Sequence, residues 1–199
     1  MAFGDFTFPQ VQADLGLTFT EADLFSSVPP IALRADFAST IGEGVTIALA
    51  INTEKAKSEF IIAPILLELR RQLPGAFALF SGIELNVEAS KGLNGVCDFI
   101  LSGSNLQFVL SAPLVTIVEA KNDNLRNGLG QCIASMVAAQ IFNDRAATAI
   151  KVVHGVVTTG SAWKFLRLEA SSLTIDLKEY YIDDLGKLVA ILQSLIRPV

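Results

Sequence analysis

Histidine and cysteine are scarce in this chain, which has one histidine and two cysteines among its 199 residues. The single histidine, His154, excludes a metal centre built from several histidines and argues against a histidine-dependent catalytic triad. Cys97 and Cys132 are widely spaced and lack the spacing of a zinc knuckle or a disulfide framework. We expect both to be small buried residues, which fits a reducing cytoplasm.

Charged residues are also few, at 18% of the chain against 51% hydrophobic residues, and this composition argues against disorder. The net charge is −5, and an acidic protein is a poor candidate for sequence-independent DNA binding, which depends on neutralising phosphates. The first 50 residues carry six acids and one base, Arg34, whereas the remainder carries 14 acids and 14 bases. The objection to a nucleic-acid substrate therefore applies mainly to the N-terminal segment.

Targeting and nucleotide-binding signals are missing as well. The first residues have neither the basic region nor the apolar stretch of a secretory signal, so we expect a cytoplasmic protein. The uncharged stretch from Phe99 to Val118 is long enough to raise the question of a membrane span, but it contains turn residues and predicts two strands with a connection, and no membrane partner. There is no P-loop, and Gly128-Leu129-Gly130 lacks the third glycine of a dinucleotide fingerprint.

The length, together with the lack of a Gly/Ser-rich linker or an internal repeat, predicts one domain over residues 1–199. Its predicted parts are a helical N-terminal segment packed on the core (1–52), a core (53–158), and a β-hairpin with a C-terminal helix (159–199). Breaks between short N-terminal helices are expected at Pro9, Gly16 and Pro29-Pro30.

Apolar periodicity predicts the elements of the core and of the C-terminal part. A helix over 53–73 begins at the cap residue Thr53 and ends before Pro74-Gly75, and Pro64 should kink it or mark its true start. The other predicted elements are strands at 77–88, 95–101 and 114–121, a helix at 125–142, a strand at 149–158, a hairpin of 163–168 with 172–177, and a helix at 183–196. This order predicts an α/β (mixed α+β) fold in which helices flank a mixed central sheet.

Two apolar stretches of this predicted core carry charges. Asp98 lies in the first, and Glu119 and Lys121 end the second, with twenty uncharged residues between Asp98 and Glu119. Charged side chains rarely lie on strands this hydrophobic unless they are paired or bind a metal. Because side chains alternate along a strand, Glu119 and Lys121 share one face. If the two strands pair, Asp98 lies beside Glu119.

Two adjacent carboxylates repel each other and need compensation, which a divalent cation would supply. Oxygen ligands completed by water suit Mg²⁺ or Mn²⁺. Such a metal polarises a scissile phosphate and lowers the pKa of a bound water, while Lys121 would orient that water and offset the charge of the phosphate. Asp98, Glu119 and Lys121 therefore predict a divalent-metal phosphodiesterase site.

The order α-β-β-β-α-β, with Asp98 followed by Glu119-x-Lys121 on the third strand, resembles the PD-(D/E)XK (restriction endonuclease-like) nuclease superfamily over roughly residues 53–158. The resemblance implies a restriction endonuclease-like core in which Asp98 and Glu119 hold Mg²⁺ or Mn²⁺ and Lys121 is catalytic. It implies a further metal-ligand role, through water, for Glu59 in the preceding helix. The implied activity is that of a metal-dependent nuclease, with nucleic acid, most commonly DNA, as the substrate.

Two further positions bear on this resemblance. Gln131 lies about where some related nucleases carry a glutamine in the following helix, which implies an accessory role. Those nucleases often have a tyrosine four residues later, where this chain has Ser135, and Cys97 rather than proline precedes Asp98.

Other interpretations stay open. A catalytically silent domain of the same fold, acting as a protein-interaction or regulatory subunit, is favoured by the mean hydropathy of +0.50 and by the acidic first 50 residues. An unrelated small α/β domain is a third hypothesis. A homodimer would bring two sites together and suit double-strand cleavage. On the first core helix, Lys55, Lys57 and Arg70-Arg71 form a modest basic cluster, for which a solvated helix face is expected and contact with phosphates is the alternative.

Overall fold

An eight-stranded mixed sheet is the centre of the molecule in a computed structural model that describes residues 1–196. Residues 197–199, the end of the predicted C-terminal part, lie outside the described residues. The strands are β1 (Thr18–Ala22), β2 (Ala78–Glu84), β3 (Val96–Ser102), β4 (Leu114–Ala120), β5 (Val152–Thr158), β6 (Ala162–Glu169), β7 (Ser172–Asp176) and β8 (Tyr180–Tyr181). Their order across the sheet is β1-β7-β6-β5-β4-β3-β2, with β8 beside β6.

Strand pairing in this sheet is both parallel and antiparallel. β3 is antiparallel to β2 and β4, and β6 is antiparallel to β5 and β7, whereas β5 is parallel to β4 and β1 is parallel to β7. All seven residues of β4 are buried, which is why this strand is a continuous apolar run in the sequence. The carboxyl ends of β4 and β5 and the amino end of β3 meet at one edge of the sheet.

Helices cover both faces of the sheet. They are α1 (Phe8–Asp14), α2 (Ala35–Ile51), α3 (Glu54–Lys57), α4 (Ala63–Gln72), α5 (Leu125–Arg145) and α6 (Leu185–Ile196). One hydrophobic core lies between the sheet and α2, α3, α4 and α6, and the other lies between the sheet and α1 and α5. The order from α4 to β5 is the predicted α-β-β-β-α-β order, and the predicted α/β class with helices flanking a mixed sheet is confirmed.

The first core helix is one helical run with a wider turn inside it. α3 passes through a π-helical turn, Ser58–Ile62, directly into α4, and within that turn the backbone N–H of Ala63 donates to the carbonyl of Ser58, five residues back. Pro64 follows at once. Because Pro64 has no N–H to donate and its ring needs room in the preceding turn, we attribute the π turn to it. The predicted kink is thus absorbed within a continuous helix.

The N-terminal segment contains more regular structure than the sequence indicated. Pro9 lies in the first turn of α1 and not at a break, because the first N–H groups of a helix have no helical partner and proline is tolerated there. α2 is a helix of 17 residues and not a short one. The strand β1 was not predicted. It is an outermost strand of the sheet and pairs with β7. The hydroxyls of Thr20 and Thr174, which are 154 positions apart in the chain, lie 3.0 Å from each other.

Candidate active site

Asp98 and Glu119 lie on neighbouring strands at the same edge of the sheet. β3 and β4 pair with Phe99 beside Val118, so one step further toward this edge Asp98 is opposite Glu119. The carboxylate Oδ2 of Asp98 accepts a hydrogen bond from the backbone N–H of Ala120 at 2.8 Å. The two strands therefore pair, which is the condition under which the sequence places Asp98 beside Glu119.

Glu119 is a fully buried carboxylate, with 0% of its surface exposed. Burial, followed by the nearby charge of Asp98, raises the pKa of Glu119 well above its usual range, and the charge of Lys121 opposes that rise. Its Oε1 accepts a hydrogen bond from Ser135 Oγ at 3.5 Å, whereas its Oε2 has no hydrogen-bond partner within residues 1–196. Because a buried carboxylate oxygen without a partner is costly, a ligand at this position would stabilise the protein.

Lys121 follows directly after β4 and lies on the same face as Glu119. Its backbone N–H donates to the carbonyl of Thr158 at 2.8 Å, which extends the pairing of β4 with β5 by one residue. Its Nζ donates to Gln131 Oε1 at 3.0 Å and lies 4.0 Å from Glu119 Oε2. The structure thus brings together Asp98, Glu119, Lys121 and Gln131, with Lys121 only 16% exposed.

Small residues of α5 let this helix approach the end of β4. A Cβ on Gly128 would lie 2.6 Å from Val157 Cγ1 and 2.9 Å from Lys121 Cγ, so glycine leaves the room that the lysine stem needs. Gly128, Gln131 and Ser135 are three and four positions apart and therefore lie on one stripe of the helix. Gly128 and Ser135 are not among the predicted site residues, although this spacing is the signal that points to them.

The structure separates Glu59 from the other predicted ligands. The Glu59 side chain is 54% exposed, and its Oε1 pairs with Lys55 Nζ at 2.8 Å. The charge of Glu54, an exposed residue in the first turn of the same helix, makes a minor contribution to the raised pKa of Glu119. Five residues correspond to about 140° around a helix, so the two acids face different ways. The structure does not bring Glu59 together with Asp98 and Glu119.

The donors at this edge fit a hard divalent cation. Asp98 and Glu119 offer carboxylate oxygens, which are the ligands that Mg²⁺ and Mn²⁺ prefer, and the unpartnered Oε2 of Glu119 is the position that such an ion would satisfy. Within the part of the chain that the structure describes, no group of three or more His, Cys, Asp or Glu side chains is arranged to hold a metal. A cation here would therefore complete its shell with water or substrate oxygens, as Mg²⁺ commonly does.

His154 lies near the start of β5, away from this edge, and its pKa is lowered to about 4 by burial and by the charge of Arg167. The unfolded chain binds a proton on this histidine near its ordinary pKa of 6.5, whereas the folded chain binds it only near pH 4. Between these two values the unfolded state holds more protons, so the free energy of unfolding falls as the pH falls.

As the pH falls from 6.5 to 4, we expect the free energy of unfolding to decrease less in a His154→Asn variant than in the wild type. The difference between the two losses should be about 2–3 kcal/mol. Urea unfolding of both proteins at a series of pH values would measure it. Parallel pH profiles for the two proteins would contradict the burial of a neutral imidazole.

Comparisons with known proteins leave this chain without an assigned family. No family model matches it, and no curated protein matches it either. Among the solved structures that match, a cryo-EM structure of a DrdV–DNA complex has a TM-score of 0.49 and 11% sequence identity, with 82% of this chain and 14% of that chain covered. Across residues 1–196, no helix has the length and apolar character needed to cross a membrane.

Proposed function

We propose that this protein is a metal-dependent nuclease that hydrolyses phosphodiester bonds, with DNA as its substrate. The observation that carries the proposal is the fully buried Glu119, which has one unpartnered carboxylate oxygen and lies beside Asp98 and 4.0 Å from the ammonium of Lys121. In an ion pair with a purely structural role, a donor at hydrogen-bond distance would satisfy Glu119 Oε2, whereas the Lys121 ammonium is 4.0 Å away. Two carboxylates beside a lysine instead suit a cation and a phosphate.

Asp98 and Glu119 are the residues that would hold Mg²⁺ or Mn²⁺. When bound, the cation supplies polarisation of the scissile phosphate and a lower pKa for a water molecule. A cation would hold Glu119 in its ionised form, because a nearby positive charge opposes the effect of burial on the pKa of that carboxyl. Asp98, partly exposed and already bonded to the backbone N–H of Ala120, holds its carboxylate in a fixed direction.

Lys121 would position the attacking water and offset the charge of the phosphate. An ammonium group has three donors, of which the Gln131 amide oxygen takes one. Within residues 1–196 the other two have no hydrogen-bond partner, so they could donate to water or to a phosphate oxygen on the exposed side. Gln131 has the accessory role of holding the ammonium beside Glu119.

Glu54 is the helix carboxylate that we assign to this site, in an assisting role through water, instead of Glu59. Both side chains are exposed, but the charge of Glu54 makes a small contribution to the raised pKa of Glu119, whereas the Glu59 carboxylate is paired with Lys55. The distinction can be tested because both acids lie on one helix and can be replaced by the same isosteric change.

Calorimetric titration with Mn²⁺ tests the proposal. Wild type should bind Mn²⁺ with micromolar to millimolar affinity, Glu119→Ala should lose binding, and Glu54→Gln should bind several-fold more weakly. Glu59→Gln is the matched control and should bind as wild type does. Cleavage of plasmid and single-stranded DNA should require the metal and stop with EDTA. A folded wild type that binds no Mn²⁺ would overturn the proposal.

The second candidate is a catalytically silent domain that acts as a protein-interaction or regulatory subunit. It is favoured by three exposed apolar side chains near the end of α2, those of Ile47, Leu49 and Ile51. Under this alternative, wild type neither binds Mn²⁺ nor cleaves DNA, and alanine at Asp98 or Glu119 leaves its interactions unchanged. Sedimentation measurements of the oligomeric state would test the homodimer that both candidates allow.

A further inference from the structure

Lys57 is a buried lysine beneath the turn that follows β4. It is only 4% exposed, and its Nζ donates to the backbone carbonyl of Asn122 and to the Asn122 side-chain Oδ1, the latter at 3.1 Å. Within residues 1–196 it has no carboxylate at ion-pair distance, whereas its neighbour Lys55 is 81% exposed and pairs with Glu59. The expectation that Lys57 lies on a solvated basic face is therefore wrong.

A buried ammonium without a carboxylate partner is an unfavourable arrangement that needs strong hydrogen bonds in return. Both of its hydrogen bonds to protein go to one residue, Asn122, which directly follows Lys121. An apolar residue would fill this space at lower cost in desolvation. The charge at this position therefore indicates that the hydrogen bonds from Lys57 to Asn122 are needed to fix the geometry of the turn.

The turn is held from both faces of the sheet. Consecutive residues of an extended chain point to opposite faces. On one face, the Lys121 ammonium donates to Gln131 of α5. On the other face, Asn122 accepts a hydrogen bond from Lys57 of α3. The two faces are opposite because α3 and α5 contribute to different cores. The Asn122 side-chain amide also donates to Asp123 Oδ2 at 3.1 Å, which adds a hydrogen bond within the turn itself.

We propose that Lys57 is a positioning residue for Lys121: by holding Asn122, it keeps the end of β4 where the Lys121 ammonium stays beside Glu119 and Gln131. The inference rests on the proposed nuclease function for its kinetic consequence, but the positioning itself can be measured without any activity.

Lys57→Met tests the role, because methionine keeps the apolar stem and removes the charge and the donors. With metal present, kcat should fall by about tenfold to a hundredfold, since small displacements of reacting groups have effects of that size. KM should stay within about twofold of wild type, because Lys57 is buried and would not contact a substrate. Lys55→Met, which removes the same charge two residues away, is the control and should leave both constants unchanged.

The route through Asn122 is tested by a double-mutant cycle. Asn122→Ala removes the side-chain acceptor, so the double variant of Lys57→Met and Asn122→Ala should be little slower than the Lys57→Met variant alone. Additive losses would show that Lys57 does not act through Asn122. Asn122→Ala also serves as the second variant if Lys57→Met fails to fold.

Nitrogen-15 spectra of the lysine ammonium groups give a readout that does not depend on cleavage. The Lys57 ammonium, buried and hydrogen-bonded, should give a slowly exchanging signal in the wild type. Lys57→Met should shift the Lys121 ammonium signal, and Asn122→Ala should shift those of both Lys57 and Lys121, whereas Lys55→Met should move neither. An unshifted Lys121 signal in folded Lys57→Met would overturn the positioning role. A wild type without metal-dependent cleavage, in which these shifts are nevertheless seen, would overturn the nuclease function alone.

Discussion

Replacing Lys121 by methionine should reduce metal-dependent cleavage by about 10³-fold, the size of effect seen when one donor to a developing negative charge is removed. Methionine keeps the apolar stem that packs over Gly128 and removes all three donors of the ammonium. Mn²⁺ binding should not weaken, because removing a positive charge beside Glu119 does not oppose a cation. The loss should therefore appear in single-turnover cleavage and not in calorimetry.

Lys151→Met is the matched control for this experiment. Lys151 is an exposed lysine near the start of β5, and its ammonium lies 4.0 Å from Asp144. Its replacement removes the same formal charge from the protein away from the candidate site, so cleavage should stay near the wild-type rate. Equal losses in the two variants would show that Lys121 acts only through the overall charge of the protein, and the catalytic role would be wrong.

Replacing Gly44 by alanine should destabilise the protein by about 3 kcal/mol, at the upper end of what overpacking costs. A Cβ at this position of α2 would lie 2.1 Å from the backbone carbonyl oxygen of Phe60. That oxygen belongs to the π turn before Pro64, and because the clash is with backbone, no change of side-chain rotamer relieves it. Urea unfolding monitored by circular dichroism would measure the loss.

Gly42→Ala is the control on the same helix. A Cβ at Gly42 would meet no atom within 4 Å, and alanine is favoured over glycine in a helix interior by up to about 1 kcal/mol. Gly42→Ala should therefore be neutral or stabilising. If Gly44→Ala were equally well tolerated, α2 would not pack against the π turn as the structure describes.

Much of the fold could be predicted from the sequence because its signals are local. The runs that became β3 and β4 are apolar for most of their length, and α5 begins after a run of cap residues, so element type and approximate bounds follow from periodicity and capping. β1 could not be predicted in the same way. Its five residues, Thr18–Ala22, have no buried position, and its place in the sheet depends on parallel pairing with β7, far along the chain.

The sequence by itself determined which strand residues could carry chemistry: charges on apolar strands are conspicuous, and alternation places Glu119 and Lys121 on one face. Only the tertiary structure decided which helix side chains reach them. Lys55 and Lys57 are equally ordinary lysines in the sequence, yet Lys57 is buried and Lys55 is exposed. Which of the two is buried depends on how the helix is rotated about its axis and packed, and that rotation follows from contacts between distant residues that no local pattern encodes.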